Sequence, residues 1–324
     1  MPAQLCEVPL TAIALDDTTF LVTYRPAMQA LQHSVARMGV LTPVHLRQSE
    51  PEAPLQVICG SKRLLACQQS GRPTVPALLY TAAELSVEAA FLLAVYDNLG
   101  CRDLNLVEKA RVLRRLRQDF HYPVATVLQE FCPLLDVSPR PDILADYELL
   151  PTLDEALQAA VVDGTLPLET ALWIGRQAGE DLTALLALFT GLKLGINRAR
   201  EYGSLIDETC QREICGAAAL LQRLGILSVL AEPQLSGPQK SERVRYLLRQ
   251  ARYPQLSAYE QRFQEASRLL RLPPQIQLRP PPYFDGQAYQ VSLHFSQPQE
   301  LQQYAERLLE AARHEALERL LELL

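Results

Sequence analysis

The sequence predicts an α+β protein: an N-terminal α+β domain, a mostly helical middle, and a small C-terminal β-hairpin plus helix. Three observations predict it. Short apolar runs punctuated by glycine and proline fill the first hundred residues, strand signals nearly vanish from Asn105 on, and an Asp285-Gly286 turn signal returns near the end. The expected divisions are 1–104, a helical domain at 105–230, a linker with basic helices at 231–274, and a hairpin-helix element at 275–324.

Residues 6–21 read as a strand, a turn at Asp16-Asp17 and a second extended piece. Within 26–38, Met28, Leu31, Val35 and Met38 fall on one helical face, and Gly39 closes that helix. Residues 41–46 are a strand, followed by the polar turn QSEPEAP at 48–54. Leu55, Val57 and Cys59 alternate as a second short strand, which Gly60 breaks. A helix over 61–69 follows, with Lys62 and Arg63 in its first turn, and Gly71 and Pro73 stop it before an extended run at 74–79. A glycine turn feeding a helix N-terminus beside two cations suits an anion, a phosphate above all, because free N–H groups and the helix dipole point the same way. A helix over 84–96 then ends at Asp97-Asn98-Leu99-Gly100, a helix-terminating turn when read alone.

Asn105 caps a helix over 106–120 whose outer face carries Lys109, Arg111, Arg114, Arg115 and Arg117. Further helices are expected at 124–131, 141–150, 152–163, 167–177, 182–192 and 198–224, punctuated by Gly164, Gly179, Gly191 and Gly225. This is the class that includes helix-turn-helix modules. Residues 232–240 read as a linker, and Arg243, Arg245, Arg249 and Arg252 mark an arginine-rich helix before another at 259–272. A hairpin over 275–295 turning at 283–287, then an amphipathic helix over 298–324, complete the chain. So small an element holds little core of its own, which favours pairing with a second copy.

The chain has 324 residues, 48% of them hydrophobic, enough for two or three cores. No run approaches the roughly 20 apolar residues of a membrane span, and the opening residues lack a signal-peptide pattern, so a soluble cytoplasmic protein is expected. Seven cysteines without a CxxC pair read as reduced, mostly buried thiols. Cys210 and Cys215 are spaced poorly for a metal pair, and the five histidines form no HxxH or HExxH pattern. With a net charge of −6, any nucleic-acid binding must come from local patches.

Five motifs in order resemble the ParB family: Gly39-Val40-Leu41-Thr42-Pro43-Val44; Val57 to Ala66 around Gly60-Ser61-Lys62-Arg63; Val75-Pro76-Ala77; Asp97-Asn98-Leu99 with Asp103 to Ala110; and Leu149-Leu150-Pro151 with the turn at 163–166. The resemblance spans roughly residues 6 to 175. It implies a chromosome or plasmid partition protein that binds CTP with Mg²⁺ in its N-terminal domain, reads DNA through the middle domain and forms a homodimer through its C-terminal one. A partition ATPase is the further partner it implies. Carried over by position, Gly60, Ser61, Lys62 and Arg63 would hold the triphosphate, the loop with Gly39, Thr42 and Pro43 would lie against the nucleotide, and Asp97 and Asn98 would face the metal. Hard oxygen donors of that kind suit Mg²⁺.

The departures are as specific. Ser61 stands where the family has the glutamate implicated in hydrolysis, so catalysis is at most a weak CTPase and no residue is assigned as catalytic. Leu65 and Cys101 stand where arginines are usual, with Arg102 one residue out of register. The expected recognition helix at 141–150 carries Asp142, Asp146 and Glu148, with only Arg140 basic beside it. DNA contact is therefore assigned to Arg111, Arg114, Arg115 and Arg140, and the cationic stretch at 243–252 is a second candidate for backbone binding. The plainer reading has both cationic faces interacting with the acids at 142–148. The alternative function is a non-hydrolysing ParB-like interaction protein without specific DNA recognition.

Overall fold

The computed structural model describes residues 4–192 and 194–323. The opening residues 1–3 of the expected first domain and Leu324, the expected end of the last helix, lie outside them. The protein divides into two compact units, Met1–Arg176 and Gln177–Leu324. The expected boundaries at 104/105 and 230/231 fall inside these units.

In the first unit, strands β1 (Gln4–Pro9), β2 (Val44–Gln48), β3 (Gln56–Cys59) and β4 (Thr74–Thr81) form one sheet in the order β1-β4-β2-β3. Only the β2–β4 pair is parallel. Val44 and Leu46 of β2, Val57 of β3, and Val75 and Ala77 of β4 form the buried centre of one core. Helices α1 (Gln29–Met38) and α2 (Ser61–Gln69) pack on it through Val35, Leu64, Ala66 and Cys67. Burying each such side chain is worth about 1.5–3 kcal/mol for the larger ones, which ties α2 and its N-terminus firmly to the sheet. Gly39 caps α1 at φ 79°, its N–H donating to the Val35 carbonyl, as the sequence predicts. The extended piece expected at 18–21 is instead irregular backbone, because Asp17 turns the chain by accepting from the Thr19 N–H at 2.7 Å.

Helix α3 (Val87–Cys101) runs further than expected: Ser86 caps it, and Asp97 and Asn98 lie within its last turns and not in a terminating turn. The Asn98 amide donates to the Ala94 carbonyl at 2.8 Å, a side-chain bond that fits the helix it sits in. Helix α4 (Leu106–Gln118) starts at a capping box of Asn105 and Glu108. A short helix α5 (Val124–Thr126), a π-helical turn (Val127–Phe131) and α6 (Cys132–Leu134) follow, and Asp136, at φ 52°, turns the chain towards α7 (Pro141–Leu149). Helices α8 (Glu155–Val162) and α9 (Leu168–Gly175) close the unit, with α7 packed on α4.

The second unit opens with α10 (Gly179–Leu192), which starts three residues before the expected 182 and so takes in Gly179. The single helix expected at 198–224 is two, α11 (Ile196–Glu213) and α12 (Ala217–Arg223), because Ile214 adopts a left-handed conformation at φ 53° and ends α11. Helices α13 (Ile226–Ala231), α14 (Gly237–Arg252) and α15 (Pro254–Leu269) follow. Strands β5 (Ile276–Arg279) and β6 (Gln290–Leu293) pair antiparallel, but the chain between them is long and includes a 3-10 turn at Pro282–Phe284. Asp285-Gly286 is therefore not the tight hairpin turn expected, and Pro281 crowds the Gly286 position. The last helix is broken at Arg313 and His314 into α16 (Pro298–Ala312) and α17 (Glu315–Leu321). The hairpin and these helices share a core with α15, around Ala266, Leu270, Phe284 and Leu320, so the element packs on the helix that precedes it in the chain.

Candidate functional site

Strand β3 ends at the turn that makes the site. Gly60 adopts φ 98°, and a Cβ built on it would lie 2.7 Å from Val44 Cγ1, so the conformation and the space both require glycine. The chain thereby reverses directly into α2, whose N-terminus has no side-chain cap. The first-turn amides are left to face a cleft of about 310 Å³. Its floor is Val57, Ile58 and Cys59 of β3; its walls are Gly60 to Arg63, the segment Phe20–Thr23, and Asp97, Asn98, Cys101 and Arg102 at the end of α3.

The cations of this cleft have distinct roles. Arg63 donates from one guanidinium nitrogen to the carbonyl oxygens of Thr42 and Pro43, at 2.6 Å each, and so ties the loop after α1 to the first turn of α2. Arg102 donates to both oxygens of Glu108, to Asn98 Oδ1 at 3.0 Å and to Thr23 Oγ1 at 3.3 Å. Lys62 has its pKa lowered by burial first and by the neighbouring Arg102 second, against an opposing pull from Glu108. The Glu108 carboxylate offsets the Arg102 charge only in part, and an anion bound beside Lys62 would relieve the remaining repulsion.

Of the residues expected from sequence to hold a nucleotide, Thr42, Gly60, Ser61, Lys62 and Arg63 line this one cleft, together with Asp97 and Asn98. Gly39 and Pro43 do not line it; Gly39 sits beneath the Arg72 guanidinium and Pro43 touches the site through Arg63. Asn98 is a poor metal ligand in this arrangement, since its amide oxygen already accepts from Arg102. Asp97 remains as the carboxylate on that wall. Among the described residues no group of three or more His, Cys, Asp or Glu side chains could hold a metal by itself. Sequence reading missed Asp17 and Thr23, which line the cleft from the irregular segment before α1. Nothing in their local pattern signals it. Cys59, on the floor, has its thiol pKa pushed up by burial and by Asp97, which leaves it an inert neutral thiol.

Residues 4–98, which contain the sheet, Gly60 and α2, match the family of the ParB N-terminal domain. That segment is similar to a ParB N-terminal domain. The probable chromosome-partitioning protein ParB of Pseudomonas putida is 36% identical over 94 residues, 29% of this chain and 31% of that protein. The probable chromosome-partitioning protein ParB of Vibrio cholerae is 30% identical over 105 residues, 32% and 34% of the two chains. The match thus spans about a third of the length of these curated relatives. The crystal structure of C-terminally truncated chromosome-partitioning protein ParB from Caulobacter crescentus, complexed with CTP-γ-S, is similar at 25% identity and a TM-score of 0.27, covering 58% of this chain and 99% of that one.

Arg111, Arg114 and Arg115, which follow the matched segment, line a shallow hollow with Thr18, Thr19 and Pro151. Arg111 stacks on Tyr24, with its guanidinium carbon 4.7 Å from the ring centre. Arg114 donates to the Glu148 carbonyl at 3.3 Å, and Arg115 lies over the Phe91 ring and bonds Asp119 and the Thr19 carbonyl. Arg140 is apart from these, exposed and paired with Asp142 two residues on. The interaction expected between the α4 cations and the acids of α7 is present, through Arg117 and Glu148 at 3.4 Å. The α14 cations do otherwise: Arg245 pairs with Glu201 at 2.8 Å, Arg252 with Glu208 at 2.6 Å and Arg249 with Glu260 at 3.5 Å, all within the second unit. Those arginines serve helix packing before any other partner.

Proposed function

We propose that this protein is a ParB-like, DNA-associated partition protein whose N-terminal cleft binds CTP with Mg²⁺. The observation that supports it best is Gly60, whose obligatory glycine geometry opens the uncapped N-terminus of α2 onto a cleft flanked by Lys62, Arg63 and Arg102. Backbone donors, a helix dipole and clustered cations together suit a polyphosphate. In this reading Gly60, Ser61 and Lys62 hold the phosphates, and Arg63 keeps the Gly39–Pro43 loop against the nucleotide. Asp97 is the oxygen donor for Mg²⁺, which would neutralise triphosphate charge. Hydrolysis is at most weak in this reading, since Ser61 stands where the family has the glutamate implicated in it.

Partition is the activity named for the relatives, and the rest of the role follows the same resemblance. Arg111, Arg114 and Arg115 contact the DNA backbone, the middle helices are derived from a helix-turn-helix module, and the protein works in the cytoplasm as a homodimer with a partition ATPase. In keeping with a soluble protein, no helix among the described residues is long and apolar enough to cross a membrane. Calorimetric titration with CTP and Mg²⁺ tests the reading. Saturable heat that Lys62→Ala weakens by about tenfold or more is expected, one charge-assisted contact being worth about 1.5–3 kcal/mol. Absence of heat from the wild-type protein at millimolar nucleotide would overturn it.

A further inference from the structure

The corner between α11 and α12 holds two cysteines that neither the nucleotide nor the DNA reading uses. Ile214 ends α11 in the left-handed conformation, its N–H donating to the Cys210 carbonyl, and the Cys215 N–H donates to the same carbonyl at 3.1 Å. That six-to-one closure is the helix-ending turn in which the side chains at its two ends meet, ordinarily as an apolar contact. Here both ends are cysteine, and both are free thiols. A direct backbone bond between the two residues keeps their Cα atoms within roughly 7 Å, beside the about 4.4–6.8 Å that a disulfide spans.

We propose that Cys210 and Cys215 are a reversible oxidation site, joined as an intramolecular disulfide by a two-electron oxidant of the peroxide class. Both side chains are half-buried, open to a small oxidant, whereas Cys59, Cys67 and Cys132 are buried. The corner is already held in place: an Asp181 carboxylate oxygen accepts from the Ala218 N–H at 2.7 Å and lies 2.8 Å from where a Cβ on Gly216 would be. Closing the bridge therefore asks little of the backbone. Burial and Cys215 together push the Cys210 thiol up to about 12, which suits Cys210 to the second, resolving step. The Cys215 sulfur attacks one peroxide oxygen, the O–O bond breaks, and the departing hydroxide takes a proton to become water. Cys210 sulfur then displaces the hydroxyl from the Cys215 sulfenic acid, its proton leaving with that hydroxyl as a second water. Two thiols lose two electrons, and one peroxide gains them.

Tryptic mapping of the 324-residue protein tests this without any variant. Cleavage after Arg200, Arg212 and Arg223 places Cys210 in peptide 201–212 and Cys215 in peptide 213–223. After hydrogen peroxide treatment and alkylation of remaining thiols, the expected product is these two peptides linked, separating again on reduction with dithiothreitol. Thiols titratable in denaturant fall from seven to five, and Cys210→Ser and Cys215→Ser each abolish the linked species. Finding both peptides unlinked while peroxide has oxidised Cys101, or finding either cysteine bridged elsewhere, would overturn the proposal. Irreversible oxidation of Cys215 with no linked stage would do the same.

Discussion

The Arg102 guanidinium donates to both carboxylate oxygens of Glu108, at 2.6 and 3.0 Å, and Glu108 is only 1% exposed. The same carboxylate accepts from the backbone N–H of Tyr24 and of Asn105, at 2.8 and 2.9 Å. One buried acid therefore fastens the end of α3, the start of α4 and the segment leading into α1, while Arg102 reaches on to the cleft wall at Asn98 and Thr23. Glu108→Ala is expected to lower stability by about 3 kcal/mol or more, as breaking a buried pair from one side leaves the other charge and the amides unpaired. Urea denaturation reads this as a fall in midpoint; an unchanged midpoint would show the pair to be dispensable.

Gly60 admits no side chain. Gly60→Ala forces a positive φ on an L-residue, worth about 1–3 kcal/mol of strain, and pushes its Cβ against Val44. Both stability and nucleotide binding are expected to fall together, measured by thermal melting with and without CTP. A variant that melts normally yet gains the usual shift with CTP would contradict the geometry.

Lys62 and Arg63, neighbours in sequence, are expected to separate in effect. Arg63 holds the Thr42 and Pro43 carbonyls, so Arg63→Ala should lower the denaturation midpoint as well as affinity. Lys62 has its pKa depressed by burial and by Arg102, and Lys62→Ala should spare the fold while weakening the nucleotide. Equal losses of stability in both variants would refute the division of roles.

His45, bonded through Nδ1 to the Tyr80 hydroxyl at 3.2 Å, has its pKa lowered by burial, with Asp97 opposing and Arg63 reinforcing the shift. Below its ordinary value of 6.5 the unfolded chain takes up a proton that folded His45 still refuses. Stability from this group is therefore present above about pH 6.5 and lost as pH falls through the depressed folded value. Denaturation midpoints of His45→Gln should decline less steeply than those of the wild type between about pH 7 and pH 5. Parallel profiles would remove His45 from the account.

The two cationic faces should also part company. Reversing Arg111 and Arg114 to glutamate is expected to abolish retention on DNA-cellulose at low salt and to flatten its salt dependence. Arg245→Gln should leave retention intact, because that guanidinium is occupied by Glu201, and such half-exposed pairs contribute little to stability. Loss of DNA binding with Arg245→Gln alone would move the interface to α14.

What the sequence by itself determined is local. The span Ser61–Gln69 of α2, the Gly39 cap, the Asn105 cap and the turn at Gly60 all follow from backbone sterics and side-chain spacing within a few residues. The gathering of Thr42, Gly60 to Arg63, Asp97 and Asn98 was legible only through the resemblance, since no periodicity links residues so far apart. Tertiary structure alone decided which partner each charge takes: Arg102 with Glu108, Arg63 with the Thr42 loop, the arginines of α14 with the glutamates of α11. It also brought Asp17 and Thr23 into the cleft. The physical reason is the range of the forces involved. Helices and turns are specified by bonds to near neighbours, whereas an ion pair or a cleft wall depends on which distant segment the packing of the core delivers, and local pattern carries no record of that.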